Sequence, residues 1–304
     1  MTENIRIAAS KHIVPIYERL KKDDKILKEH GAIMNLSAVK DGKYQVLNCE
    51  LVFEEQLSEA INDQGLNICF HQIAEAVAET IVIWWKPELV RAIIYEKYQS
   101  LSSSEISNIL NSMFRATIEH SFYMQSVNSA LTWKKEISSR VVDFLEAGNT
   151  ISVDGFINFR LQDFKLELEQ LVDESVEEYL LEKEYDDFID LLRYFVNTQE
   201  PRLQKVHVML APSGVFNMYD QNFQLIDNDF LEGFILDLMD NDLSYEDLLV
   251  SALITIAPTE IVLHSPGPVG PLSAAVNTIQ SVFDERVTLC IGCSKCLNFK
   301  VKKS

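Results

Sequence analysis

The sequence predicts an α+β protein with a small N-terminal α/β cap, a mainly helical central region and a C-terminal α/β domain that contains a mixed sheet. Three observations carry this prediction. Apolar residues recur at spacings of three and four through the middle of the chain, which is the period of a helix face. Short β-branched runs occur near both ends, as in strands. Pro201 separates the last central helix from the next strand, because proline cannot continue a helix as a donor. The predicted regions are 1–66, 67–200 and 201–304.

The first 66 residues combine strand and helix signals. A short strand is predicted at 5–8 and a helix at 15–28, which has apolar residues on one side. Residues 32–51 are predicted to form a hairpin that turns at Asp41-Gly42, because an Asp-Gly pair suits the two-residue turns of hairpins. These elements would form the α/β cap.

The sequence of the central region predicts a succession of helices from 66 to 148. Pro87 suits the first turn of a new helix. Ser102, followed three residues later by Glu105, forms a capping box that opens another helix.

A long acidic helix is predicted from 154 to 200, with Ser152 as its N-cap. Its apolar stripe changes register after 182–184, so the face either rotates or the helix breaks there. The stretch contains fourteen Asp and Glu against four Lys and Arg, and these acids are expected on the solvated face. Their negative field disfavours nucleic acid and anionic membranes as partners, whereas a basic protein partner is compatible with it.

Several runs of this region resemble a known family in order and spacing. They are DGFINFRL at 154–161, EKEYDDFIDLLRYFV at 182–196, and QEPR at 199–202 before VHV at 206–208. The chain is similar here to the YtxC-like sporulation protein family of endospore-forming bacteria. The resemblance implies a soluble protein made in connection with sporulation, and it supplies no catalytic residue or substrate.

The C-terminal region returns to strands. A hairpin is predicted from 206–210 and 215–219 around a four-residue loop. Helices are predicted at 230–239 and 245–256, and a βαβ unit at 261–264, 272–283 and 287–290. The proline-rich loop 265–271 lies where α/β proteins bind phosphate, but its three prolines remove N–H donors, which favours a rigid turn. The acidic triplets at 227–229 and 240–242 are interpreted as helix caps.

Cys290, Cys293 and Cys296 form the sharpest chemical signal, a CxxCxxC motif directly after a predicted strand. Thiolates at this spacing can converge on Zn²⁺ with a fourth ligand from elsewhere, or on an iron–sulfur cluster with one open position. The next cysteine of the ferredoxin pattern would stand at residue 300, which is Lys300. A dithiol redox role, an intermolecular disulfide and plain reduced cysteines compete with metal binding. The candidates for the fourth ligand are Cys49, Cys69, His207 and His264.

The sequence lacks the motifs of several common classes of protein. The sequence contains no GxSxG, HExxH or phosphate-loop pattern, which are signatures of hydrolases and nucleotide-binding proteins. The start of the chain has no secretory signal pattern, and charges interrupt the two most apolar stretches, so no membrane span is expected. With these observations, and with the role in sporulation that the family resemblance implies, we expect a cytoplasmic, non-enzymatic interaction or regulatory protein with protein partners. The alternative is a metal-binding or thiol-redox protein that acts through the three cysteines.

Overall fold

The computed structural model confirms the α+β prediction, with helices around two four-stranded mixed sheets. It describes residues 2–23, 27–28, 32–53, 59–115, 123–210, 216–226, 245–264 and 273–298. The chain divides into two compact units, Met1–Tyr179 and Leu180–Ser304. The N-terminal sheet and the central helices share one apolar core. The division into the three regions 1–66, 67–200 and 201–304 stays a prediction.

The sheet of the first unit is built around the predicted hairpin. Its strands are β1 (Thr2–Ala9), β2 (Ala32–Asp41), β3 (Tyr44–Phe53) and β4 (Thr150–Ser152), in the spatial order β2-β3-β1-β4. The hairpin of β2 and β3 turns where Asp41 pairs with Tyr44, and Gly42 has a φ of 62°, which a residue without Cβ adopts at no steric cost. β1 runs antiparallel to β3 and parallel to β4.

Helices supply the other half of this unit's core. Among the described residues, the helices that lie wholly in the first unit include α1 (Ile13–Lys22), α2 (Glu59–Thr80), α3 (Lys86–Lys97), α4 (Ser103–Arg115), α5 (Tyr123–Ala147) and α6 (Val153–Arg160). A π-helical turn, Ile81–Trp85, joins α2 to α3, so Pro87 stands in a first turn that directly continues a longer helical segment. The capping box of α4 is present: the Ser102 N–H donates to Glu105 Oε2 at 2.8 Å, and the Glu105 N–H donates to Ser102 Oγ at 3.3 Å.

One helical segment in the described part of the chain, Gly65–Lys97, is long and apolar enough to cross a membrane. Its most apolar window has a mean hydropathy of 1.3, and half of that window is buried inside the protein. This burial agrees with its contribution to the first core, where Ile73, Val77 and Ile81 are fully buried.

The long acidic helix begins at Gln162 and not at 154 as predicted. Ser152 does cap a helix, since its Oγ accepts the N–H of Gly155 at 3.3 Å, but that helix is α6 and it ends at Arg160. A new helix, α7 (Gln162–Thr198), then runs without a break through 182–184. Arg140 binds both sides of the interruption at Leu161: its guanidinium donates to the Arg160 carbonyl at 3.1 Å and to Asp163 Oδ1 at 2.7 Å.

The sheet of the second unit has its predicted hairpin and βαβ unit. Its strands are β5 (Lys205–Leu210), β6 (Phe216–Tyr219), β7 (Glu260–His264) and β8 (Val287–Leu289), in the order β6-β5-β7-β8. β6 is antiparallel to β5, while β5, β7 and β8 are parallel. Its described α-helices are α8 (Tyr245–Ile256), α9 (Ser273–Phe283) and α10 (Ser294–Asn298), and the last part of α7 adds Ile189 and Val196 to the core.

Some expectations concern residues outside those described. These are the hairpin loop at 211–214, the helix at 230–239, the acidic triplets and the proline-rich loop. They stay predictions.

Candidate metal centre

Strand alternation places two histidines of the second sheet on the face opposite its apolar core. On one face, Val206, Val208, Ile261 and Leu263 belong to the apolar core. His207 pairs with Val262, and Met209 pairs with His264. Because side chains alternate along a strand, His207 and His264 share the opposite face. Both imidazoles are buried, and His264 ends β7 at the carboxyl edge of the sheet.

The same alternation brings the first cysteine to this edge. β8 pairs with β7 up to Leu289 and Leu263, and the Cys290 N–H then donates to the Leu263 carbonyl at 2.9 Å. The pairing therefore extends one residue beyond the strand and sets Cys290 beside His264. Gly292 has a φ of 112°, a conformation that only glycine adopts readily, and it turns the chain back to Cys293.

The third cysteine is carried by α10, which starts immediately after Cys293. The backbone N–H groups of Lys295 and Cys296 interact with the Cys293 sulfur, so this side chain stands where an N-cap would. The Cys296 N–H is the main cause that lowers the pKa of the Cys293 thiol. One turn of helix thus places Cys296 next to Cys293, and Cys296 is buried.

Four ligand atoms converge in this corner. Those of His264, Cys290, Cys293 and Cys296 all lie within 4.8 Å of one another. Cys296 Sγ lies 3.6 Å from Cys293 Sγ and 3.8 Å from Cys290 Sγ. His264 Nδ1 lies 3.6 Å from Cys293 Sγ and 3.4 Å from Cys296 Sγ.

The four measured separations match those around a tetrahedral ion. With zinc–sulfur bonds of about 2.3 Å and zinc–nitrogen bonds of about 2.0–2.1 Å, a tetrahedron separates two sulfurs by about 3.8 Å and a sulfur from a nitrogen by about 3.6 Å. An iron–sulfur cluster places several irons and sulfides between its thiolates, so its ligand sulfurs stand further apart than those of a single ion. The arrangement is a possible metal-binding cluster with the composition Cys₃His.

The other nitrogen of His264 contacts the second buried histidine. His264 Nε2 lies 3.0 Å from His207 Nδ1. Burial lowers the pKa of both imidazoles, and in each case it is the largest cause. Both rings are therefore neutral near pH 7, which is the state in which histidine binds a metal.

His207 is itself in contact with an aromatic side chain. The ring of Phe223 stacks on His207 with a centroid distance of 4.1 Å and an interplanar angle of 17°. Lys295 Nζ lies 4.9 Å from the centroid of the same phenyl ring. Phe223 has a φ of 59°, a conformation that a bulky residue adopts only at a cost. Asp220 holds this turn, since its Oδ1 accepts the N–H groups of Asn222 and Gln224 at 2.8 Å each.

The structure distinguishes the four candidates for the fourth ligand. His264 joins the three cysteines, and His207 lies behind it. Cys49 and Cys69 are buried in the apolar core of the first unit. Burial raises the pKa of the Cys49 thiol to about 12 and that of the Cys69 thiol to about 11. It raises the pKa of the Cys296 thiol to about 11 as well, so the apolar surroundings of Cys49 and Cys69, and not their pKa values, set them apart from the cluster.

Sequence reasoning missed Phe223 and Lys295 as neighbours of the site. A signal for the histidine pair was present, because His207 and His264 are polar residues in otherwise apolar β-branched strands, where a buried polar group needs a partner. No comparable signal marked Phe223.

Comparison with known proteins gives a family and one relative. The sequence model of the YtxC-like family matches residues 71–288, more than half of the chain, and the match ends before the first cysteine of the cluster. A Bacillus subtilis (strain 168) protein named "Uncharacterized protein YtxC" is 31% identical over 144 residues, which are 45% of this chain and 47% of that protein. The match therefore spans about half the length of this curated relative. No solved structure matches the chain.

Proposed function

The chain belongs to the YtxC-like family, and we propose that its second unit holds one Zn²⁺ ion on Cys290, Cys293, Cys296 and His264. The observation that supports the proposal is the set of separations among the four ligand atoms, 3.4–3.8 Å for the four pairs measured above. Thiolate and imidazole in a tetrahedral set are the ligands that zinc prefers.

The role of this ion is structural. Four protein ligands complete a tetrahedral shell, whereas a catalytic zinc site keeps one position for water or substrate. The ion joins the end of β7 to the end of β8 and to α10, which are separate segments of the sequence. This favours a non-enzymatic role over a metal-dependent or thiol-redox activity.

The test is metal analysis of protein purified without an affinity tag and without oxygen. We expect about one zinc per chain, lost in Cys296→Ser and kept in Cys69→Ser, which changes a cysteine that is also buried, in the first core. Replacement by Co²⁺ should give the absorption of a tetrahedral thiolate site. Wild-type protein that neither contains nor takes up zinc would contradict the proposal, and so would the visible absorption of an iron–sulfur cluster.

A second function, binding of a protein partner, is favoured by an exposed apolar face on α7. Leu181, Phe188, Leu191 and Phe195 are all more than half exposed and recur at spacings that place them on one side of a helix. Glu184 and Asp187 lie on the same side, and both are exposed. Apolar surface of this kind marks interaction sites, and the acids select a partner segment that is apolar and cationic.

The face can be tested with a photo-crosslinking residue at position 188 and a matched one at position 186 on the acidic side of the same helix. An identified partner that cross-links at 188 through a basic segment, and is lost with Glu184→Lys and Asp187→Lys, would support this function. Cross-linking to a second copy of the chain, equal cross-linking at 186, or none at 188 would contradict it.

The cellular setting proposed is the cytoplasm of sporulating cells. It rests on the resemblance to a sporulation family and on thiols whose metal binding needs a reducing compartment. In the source organism, the protein should accumulate during sporulation, and its deletion should lower spore yield. Constant production with a normal spore yield would contradict this setting.

A further inference from the structure

We infer that His207 is a positioning residue of the metal centre, which fixes the tautomer and the ring orientation of His264. The inference rests on the proposed zinc site and adds a residue that is not one of its ligands. It follows from the 3.0 Å contact between His264 Nε2 and His207 Nδ1, together with the placement of His264 Nδ1 next to the thiolates.

The direction of the hydrogen bond follows from the ligand set. His264 Nδ1 is the nitrogen within 3.6 Å of two sulfurs, so its lone pair is the one available to the ion. A neutral imidazole with a free Nδ1 carries its proton on Nε2. His264 Nε2–H therefore donates to His207 Nδ1, which in turn leaves the proton of His207 on Nε2.

Metal-binding histidines almost always donate their second ring nitrogen to a carboxylate, a backbone carbonyl or water. Here the acceptor is a second neutral imidazole, which is buried and only 7% exposed. Its place in β5 is fixed by the sheet, where His207 pairs with Tyr219 on one side and with Val262 on the other. Rotation of the His207 ring is opposed by the stacked Phe223.

The contacts return to the metal-binding loop. Lys295, which stands between Cys293 and Cys296, lies over Phe223, and Phe223 stacks on His207. A continuous series of contacts thus runs from the loop through Phe223 and His207 to His264, and then back to the sulfurs. Movement of His207 would therefore misplace the one ligand that does not belong to the loop.

The experiment compares two substitutions. His207→Leu removes the acceptor and keeps an apolar side chain in the strand, whereas His207→Asn places an amide oxygen near the former Nδ1 position. Zinc affinity is measured by competition with a chromophoric chelator, and the site is also examined by the absorption of bound Co²⁺. We expect His207→Leu to bind zinc about 10- to 100-fold more weakly, as for other changes behind a ligand, and His207→Asn to recover most of that loss.

A measurement on the wild-type protein tests the inference even if the variants do not fold. Long-range ¹H–¹⁵N correlation of the zinc-loaded protein should show His264 protonated on Nε2 and metal-bound through Nδ1. Equal zinc affinity in wild type, His207→Leu and His207→Asn would overturn the inference, and so would ligation through Nε2. Wild-type protein that binds no zinc would instead contradict the proposed function, so the two failures can be distinguished.

Discussion

The molecule contains two groups of cysteines, each with at least one buried member, whose surroundings differ completely. Cys49 lies in β3 opposite Ile5, and with Cys69 it is enclosed by the aliphatic core of the first unit. Cys296 is almost as buried, with 4% of its surface exposed against 0% for Cys49, yet it faces two sulfurs and an imidazole nitrogen. Burial therefore does not separate a core cysteine from a ligand. The difference lies in the neighbouring atoms.

The two units also differ in what holds their strands. β1 and β3 are fixed by fully buried side chains such as Ile7, Leu47 and Leu51. At the end of β8, by contrast, Leu289 is half exposed and Ile291 is completely exposed. Apolar packing is weak at this corner, so a metal ion would be its main source of stability. Three experiments, in order of expected effect, test this contrast.

Removal of the metal should destabilise the second unit alone. An ion present at about 1,000 times its dissociation constant contributes about 4 kcal/mol to the free energy of unfolding. Addition of a chelator, or Cys296→Ser, should accelerate amide hydrogen exchange in β7, β8 and α10 and leave exchange in β1 and β3 unchanged. Mass spectrometry of peptides from the two sheets measures both. Equal acceleration of amide exchange in both sheets, or none in either, would contradict the expectation that the metal stabilises the second unit alone.

In metal-free protein, Cys293 should react much faster than the two cysteines of the first core. The pKa of Cys49 is about 12, whereas that of Cys293 is lowered below the ordinary thiol value. At pH 8 the thiolate fractions then differ by about 1,000-fold or more, and thiolate is the reactive form. Iodoacetamide labelling followed by peptide mapping should modify Cys293 long before Cys49 or Cys69. Rapid modification of Cys69 in folded protein would show that the first core opens more easily than its burial indicates.

The smallest effect is expected at the ion pair that interrupts the acidic helix. Asp163 is hydrogen-bonded by Arg140, which lowers its pKa to about 2. Its contribution should therefore be present above pH 4 and be lost as the pH falls through about 2. Because both side chains are more than a third exposed, Asp163→Asn should cost less than about 1 kcal/mol at pH 7.

Urea unfolding at pH 7 and pH 2.5 checks this expectation, with zinc content at pH 7 as the control. The difference between wild type and Asp163→Asn should shrink at the lower pH, and metal content should not change. A difference that grows on acidification would mean that the carboxylate is not stabilised by Arg140.

Local sequence signals predicted most of the fold. The hairpin at Asp41-Gly42, the Ser102 capping box and the βαβ unit at the end of the chain depend on residues close in sequence, and each is present. The break at Leu161 was not predictable in the same way. It is stabilised by Arg140, 20 residues from the carbonyl that it caps, and no pattern in the helix itself records that contact.

The candidate site also combines residues that local sequence predicts with residues that only the fold brings together. The cysteine spacing pointed to three of the four proposed ligands, because CxxC turns bring thiols together locally. The fourth could not be selected among Cys49, Cys69, His207 and His264 until the strand register was known, since His264 stands 29 residues before Cys293. The stacking of Phe223 on His207 depends on a left-handed residue in a turn, and phenylalanine gives no sequence signal for that conformation.

The shortness of α10 has a consequence for how the cell could use this protein. A helix of five residues is far below the length that is stable in water without tertiary support, and two of the proposed ligands stand at its start and in its middle. With the proposed zinc ion as that support, its folding would depend on zinc occupancy, and a protease would find 290–298 accessible when zinc is scarce. The lifetime of the protein would then follow the zinc supply of the cell.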